Sequence, residues 1–343
     1  MSDVSPPQVA ARPLSRLSAM LAPALPGLGL AALIAALAIA VQRLSGIGAL
    51  SPLMVAMVIG MAIRNTTGVH PALAPGIALS LKKILRFAIV LMGFQLTLAQ
   101  IGEIGLRGVA IVALTLGATL VFTKAMGRVL GVERRLAELI AAGTSICGAS
   151  AVIACNTVTR GRDEDVAYAI ACVTVFGSLS MILFPLLAGP LGLGPQDYGL
   201  WTGATIHEVA QVVGASFAQG EAAGQAGTIA KLSRVILLAP VILSLGMMAR
   251  RRSDGAGAAK VPVPWFVFGF LALVLVNSLV SLPDALRADL GLATSFLLAM
   301  ALAAMGLETD IAKLRREGLR PLALGAIAWI FISLAGLGLV LAL

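Results

Sequence analysis

Two short strings carry most of the residues that could do chemistry in this chain. The first is Gly143-Thr144-Ser145-Ile146-Cys147-Gly148-Ala149-Ser150, in which two glycines bracket two hydroxyls and a thiol. Glycine costs a helix about 1 kcal/mol relative to alanine, and its missing side chain lets backbone approach a ligand closely. A helix broken here frees amide N–H groups, and free amides at a half-helix N-terminus attract anions. Thr144, Ser145, Cys147, Gly148 and Ser150 are therefore candidate substrate contacts. The competing reading is small residues placed for close helix packing.

The second string is Gly203-Ala204-Thr205-Ile206-His207-Glu208-Val209-Ala210-Gln211. Ionisable groups are costly inside a bilayer, so a His-Glu pair within an apolar stretch marks a candidate site. On a helix, His207 and Gln211 share a face and Glu208 adjoins Gln211. The pair is expected to face a central polar cavity shared with Thr144 to Ser150, where it couples transport to a proton or organises an anion. Its competitor is a hydrogen-bonded pair that only fixes helix packing. Gln211 stands where a zinc protease of the His-Glu-x-x-His pattern needs its second histidine, so neither that chemistry nor a metal site is expected. A third string, Lys231-Leu232-Ser233-Arg234, sets two cations three residues apart at the start of an apolar segment. They attract an anion to an outer mouth or bind it directly, or they snorkel to the interface.

The elements that must hold these residues are membrane helices. Of 343 residues, 59% are hydrophobic and 12% charged, and the mean hydropathy is +0.99. Soluble chains run near 25% charged. The net charge of +9 does not indicate nucleic acid, because the basic residues lie in short clusters between apolar runs. Cys147, Cys155 and Cys172 all fall inside apolar segments and form no Cys-x-x-Cys pair, against a disulfide framework. No P-loop is present, so ATP hydrolysis is not expected.

Residues 1–24 read as a cytoplasmic N-terminal tail and 25–343 as one transmembrane domain. Eleven spans are expected, near 25–43, 51–64, 80–99, 106–125, 135–156, 165–187, 198–217, 229–249, 264–283, 290–308 and 320–342. With the N-terminus inside, the outer segments hold only Arg43, Arg107, Arg160, Arg162, Lys231, Arg234 and Arg287 among the 25 Lys and Arg residues. That bias predicts a cytoplasmic N-terminus and a periplasmic C-terminus.

An internal repeat is also visible. Met92-Gly93-Phe94-Gln95 through Gly105-Leu106-Arg107 matches Met305-Gly306-Leu307-Glu308 through Gly318-Leu319-Arg320 at one ungapped offset, with Ala99 against Ala312. Pro52 to Asn65 matches Pro264 to Asn277 at nearly the same offset. Seven spans separate the copies, an odd number, so they face opposite ways, as in the inverted repeats of secondary transporters. Asn65, Asn277, Gln95 and Glu308 lie at span ends, where they read as helix-end hydrogen-bonding groups.

Taken together, the strings GTSICGASAV, GATIHEVAQVVGAS and AKLSRVILLAP resemble the YeiH-like family of proposed bacterial sulfate exporters, from about residue 26 to the C-terminus. The resemblance implies an inner-membrane secondary carrier. It also implies kinship with the bile acid/arsenite/riboflavin transporter superfamily, whose folds have inverted repeats and crossing broken helices. Site roles fall by resemblance on Thr144, Ser145, Cys147, Gly148, Ser150, His207, Glu208 and Gln211; Lys231 and Arg234 are added from their own spacing. The expected protein is an all-α, ion-coupled or exchanging carrier of a small anion, such as sulfate or a related sulfur oxyanion. It is not an enzyme and needs no cofactor; a proton or sodium is the coupling ion, and a homodimer is compatible with it. The alternatives are a sodium-coupled organic-anion carrier and an intramembrane enzyme using His207 and Glu208.

Overall fold

A computed structural model of the chain describes residues 22–45, 51–238, 240–241, 244, 265–280, 282–311 and 318–343. The expected tail therefore lies mostly outside the described residues, as does the end of the expected span 229–249. Every regular element among the described residues is helical. In chain order they are α1 (Leu25–Ser45), α2 (Pro52–Thr66), α3 (Ala74–Leu79), α4 (Leu85–Met92), α5 (Leu98–Val129), α6 (Arg134–Ser145), α7 (Ala149–Thr159), α8 (Asp163–Leu187), α9 (Pro195–Thr205), α10 (Val209–Phe217), α11 (Glu221–Ile236), α12 (Trp265–Leu279), α13 (Asp284–Glu308) and α14 (Leu319–Ala342). A π-helical turn, Ser80–Ile84, joins α3 to α4. Five of the helical stretches are long and apolar enough to cross a membrane, and α2, α7 and α12 are shorter apolar helices. Backbone hydrogen bonds made within each helix are what permit such a chain to lie in lipid.

The helices gather into two bundles, with dense contacts inside each and sparse contacts between them. One holds α1, α2, α3, α4, α12 and α13; the other holds α5 to α11 and α14. The first is built on backbone-to-backbone approach. A Cβ on Gly60 would strike the carbonyl of Ala303, and one on Gly306 the carbonyl of Met57. Apolar burial gives little drive inside lipid, so small residues that let helices close up supply the association.

The inverted repeat is written in reciprocal contacts. Gly306 rests on Met57 and Met61, and Gly93 rests on Phe270 and Val274, which lie within one residue of the matching positions of the other copy. Asn65 Nδ2 donates to the Thr309 carbonyl at 2.9 Å, and Asn277 Nδ2 donates to the Leu96 carbonyl at 2.9 Å. The amide of Ile311 donates to Asn65 Oδ1, and that of Leu98 to Ser278 Oγ. Gly105 and Gly318, matched in the sequence, both have positive φ. Residue i touching j′ while j touches i′ is the signature of a two-fold relation.

The fifth and seventh expected spans are not crossings. The Tyr198 hydroxyl donates to the Ala215 carbonyl at 3.1 Å, although a continuous helix would hold those residues about 25 Å apart. Likewise Thr159 Oγ1 meets Glu138 Oε2 at 3.5 Å, and Gly143 abuts Val152. Each segment is a helical hairpin that returns to the end it came from. Its arms of 9 to 12 residues are roughly 14–18 Å long, about half of a ~30 Å hydrocarbon core. The expected breaks are present, and among the described residues two of the eleven expected spans double back as hairpins; of the nine that remain, five are long and apolar enough to cross a membrane on their described residues. Hairpin α6–α7 hangs from the start of α8 and hairpin α9–α10 from its far end. Both tips reach the middle of α8, Gly143 at Val173 and Gln211 at Thr174 and Ser178.

This revision also removes the irregular spacing of the repeat. With the hairpins set aside, α2 and α12, α3–α4 and α13, and α5 and α14 are each five crossings apart. The first copy runs α2, α3–α4, α5, hairpin, α8. The second runs hairpin, α11, α12, α13, α14, a circular permutation of the first.

Candidate functional site

The hairpin tips are two versions of one sequence. Gly143-Thr144-Ser145-Ile146 and Gly203-Ala204-Thr205-Ile206 share glycine, hydroxyl and isoleucine at matched positions. Ser145 Oγ donates to the Ala141 carbonyl at 2.6 Å, and Thr205 Oγ1 to the Trp201 carbonyl at 2.6 Å. In both, the helix stops one residue later, with Ile146 N bonded to Ala142 O and Ile206 N to Thr202 O. The first turn is closed by Gly148 at φ 68°, a conformation that a side chain disfavours. The second has no glycine; His207 and Glu208 carry the chain round, and Glu208 lies extended at φ −100° before α10 begins.

Stopping two helices inside a membrane leaves carbonyls without partners at their C-terminal ends, where the helix dipole is negative. Lys231 and Arg234, one turn apart on α11 and fully buried, meet that need. Lys231 Nζ donates to the carbonyls of Ile146 at 3.0 Å, of Ile206 at 2.7 Å, and of His207. Arg234 donates to Thr144 O at 3.0 Å, Ser145 O at 2.7 Å, Gly203 O at 3.2 Å and Ile206 O at 3.1 Å. The expected outer-mouth position of these cations is thus corrected: they sit at the meeting point of both tips and bind main chain.

Glu208 joins the tips directly. Its Oε1 accepts from the Ala149 amide, the first of α7, at 2.6 Å. A Cβ on Gly148 would overlap that carboxylate, so the glycine is required by the contact as well as by the turn. The Glu208 amide donates to Gln211 Oε1 at 3.1 Å. Gln211 Nε2 donates to Thr174 O and Ser178 Oγ of α8, where Gly177 leaves it room. His207 is 1% exposed, and its Nδ1 has no hydrogen-bond partner among the described residues.

The structure therefore brings Thr144, Ser145, Cys147, Gly148, His207, Glu208, Gln211, Lys231 and Arg234 into one buried cluster, while Ser150 is exposed. Thr144 and Ser145 contribute carbonyls to the Arg234 cradle. The carbonyls of Ile146, Gly203 and Ile206 and the amide of Ala149 belong to the cluster too and were not expected. The match between the two tip strings is the signal that could have found them.

Two cavities lie at the end of the molecule from which hairpin α9–α10 hangs. One, of about 620 Å³, sits on the seam between the bundles and is lined by Gln95, Gln100, Glu221, Gln225, Asn277 and Arg287, among others. The second, of about 150 Å³, shares Gln95, Phe217 and Ser295 with it. His207 and Glu208, expected to face a cavity shared with Thr144 to Ser150, do meet the Thr144–Ala149 segment. The meeting point is a hydrogen-bonded knot, half-buried at Glu208 and Ala149, and other side chains line the two cavities described. Asn277, at a cavity wall, is the helix-end hydrogen-bonding group that was expected, as is Asn65.

Among the described residues, five helices long and apolar enough to cross a membrane, an inverted repeat and two opposed hairpins define a polytopic α-helical membrane protein. Residues 26–325 match the family model described as Conserved hypothetical protein 698, and the chain belongs to that family. A UPF0324 membrane protein of Pseudomonas aeruginosa is 40% identical over 96% of both chains. The UPF0324 inner membrane protein YeiH of Salmonella typhi is 38% identical over 90% of this chain and 92% of its own. A UPF0324 membrane protein of Bacillus cereus is 35% identical over 92% of this chain and 91% of its own. The YeiH-like resemblance is thereby established. No solved structure matches the chain.

Proposed function

We propose that the protein is a secondary carrier of a small anion, such as sulfate or a related sulfur oxyanion, in the bacterial inner membrane. The observation that carries the reading is the pair of inversely repeated hairpins whose tips meet midway along α8. Inverted repeats with interrupted helices at mid-depth are how secondary transporters build a site reachable from either side. Helix ends buried at that depth are tolerated where they line a path or meet a ligand. At the tips the positive N-terminal ends of α7 and α10 offset the negative C-terminal ends of α6 and α9, and Lys231 and Arg234 against Glu208 leave an excess of one positive charge. That excess suits an anion. The seam between the bundles, where the larger cavity sits, is where one bundle can move against the other.

The hairpins also sharpen the charge bias that sets orientation. Arg160 and Arg162 now fall on the inner side, Lys231 and Arg234 leave the loops, and the outer set shrinks to Arg43, Arg107 and Arg287. This supports a cytoplasmic N-terminus and a periplasmic C-terminus. A second reading, a carrier of organic anions, draws on the ~620 Å³ cavity, which is within the size range of organic-ligand pockets. Purified protein in liposomes, preloaded with sulfate, should take up radiolabelled sulfate by counterflow, and a panel of thiosulfate, sulfite and organic dianions should rank the cargo. Uptake of every anion no faster than in protein-free liposomes overturns the carrier reading.

A further inference from the structure

We infer that Glu208 is a tethered anion that holds the two hairpin tips together, and that cargo binding requires its carboxylate to take up a proton and leave the Ala149 amide. The inference rests on the carrier reading for its cargo step, and on geometry alone for the latch.

The bond from the Ala149 amide to Glu208 Oε1 is the one hydrogen bond running directly from hairpin to hairpin among the described residues. It occupies the N-terminal end of α7, the place in the cluster where an anion is best received. The two nearby cations offer no substitute. Lys231 spends its three donors on Ile146, Ile206 and His207 carbonyls, and Arg234 is shared among four. A carbonyl stripped of its donor in lipid is costly, so a cargo anion cannot recruit either cation without disrupting a helix end. Outside its own tip the Glu208 side chain is held by that one bond, and both it and Ala149 are only half-buried. It is the one member of the cluster that can leave cheaply.

Charge conservation fixes what must accompany its leaving. The groups around the carboxylate are Lys231 from α11 and Cys147 from hairpin α6–α7, with Arg234 one turn along α11 from Lys231 and His207 the preceding residue of its own tip. Two cations against one carboxylate leave the knot with one positive charge. Sulfate carries two negative charges, so its arrival beside a charged Glu208 leaves one of them without a partner, which is expensive in a low dielectric. If Glu208 takes up a proton as sulfate arrives, the two charges of the anion match the two cations. The protonated carboxyl can no longer act as a charged acceptor, so the amide passes to the cargo. No bond between heavy atoms changes; for each sulfate bound, one proton leaves a solvent or buffer acid and forms an O–H bond on Glu208.

Two measurements test this. The first needs no cargo: hydrogen–deuterium exchange of the peptide spanning residues 146–152, corrected for intrinsic rate, across pH. Wild type should lose protection at Ala149 as pH falls, and Glu208→Gln should show the same protection at every pH. The second follows sulfate binding with a pH indicator in weak buffer. Wild type should take up about one proton per sulfate, and its affinity should rise roughly tenfold per pH unit lowered while Glu208 is charged. Glu208→Gln should bind with no proton uptake. Flat protection in wild type, or proton uptake retained in Glu208→Gln, overturns the inference. If that variant does not fold, wild type binding sulfate without proton uptake overturns it equally. Protection that responds to pH together with no binding of any anion sinks the carrier reading and leaves the latch standing.

Discussion

Replacing Lys231 with methionine keeps the length of the side chain and removes its three donors. The Ile206 carbonyl keeps a second donor in Arg234 Nη1 at 3.1 Å, so two carbonyls, those of Ile146 and His207, lose the donor that Lys231 supplied. An unsatisfied buried acceptor costs about 1–3 kcal/mol, giving roughly 2–6 kcal/mol for the pair. Relief from burying a cation offsets part of this, and a net loss of about 2–4 kcal/mol is expected. At about 2–4 °C per kcal/mol, the thermal midpoint in detergent should fall by roughly 4–16 °C. Arg234→Met strips three carbonyls, Thr144, Ser145 and Gly203, and should fall further. In the double variant Ile206 loses both donors, so the loss should exceed the sum of the singles by about 1–3 kcal/mol. Midpoints for both single variants within about 1 °C of wild type, measured by differential scanning fluorimetry at fixed detergent, would refute the idea that these cations hold the helix ends.

Two further substitutions probe the turn and the repeat. Gly148→Ala places a Cβ on the Glu208 carboxylate at a positive φ; it should cost about 1–3 kcal/mol and abolish the pH-dependent protection of Ala149, read by exchange and thermal unfolding. Asn65→Ala and Asn277→Ala remove matched bonds and should both destabilise. The first should be worse by about 1 kcal/mol, since Asn65 also accepts from the Ile311 amide; equal midpoints would contradict that difference.

Much of this arrangement was legible because it rests on residue type. The break at Gly143 to Gly148 followed from glycines flanking small polar residues, and the repeat from Met92–Arg107 against Met305–Arg320. The hairpins were not legible. A fold-back of about 20 apolar residues has the length and hydropathy of a crossing, and only tertiary contacts such as Tyr198 on Ala215 tell them apart. The second break escaped notice because no glycine marks it. Its turn is held from outside, by Lys231 on Ile206 and His207. Cations whose partners are main-chain carbonyls leave no sequence complement, so Lys231 and Arg234 read as an anion lure.

The central structural claim, that two hairpins enter from opposite faces, is tested by single cysteines at exposed sites in a background lacking Cys147, Cys155 and Cys172. Glu133→Cys and Asp163→Cys flank hairpin α6–α7, and Leu191→Cys and Ala222→Cys flank hairpin α9–α10. In intact cells and inverted vesicles, an impermeant maleimide should label Glu133→Cys and Asp163→Cys from the cytoplasmic face only, and Leu191→Cys and Ala222→Cys from the periplasmic face only. Labelling of Glu133→Cys and Asp163→Cys from opposite faces, or of Leu191→Cys and Ala222→Cys from opposite faces, would make those segments true crossings and contradict the account.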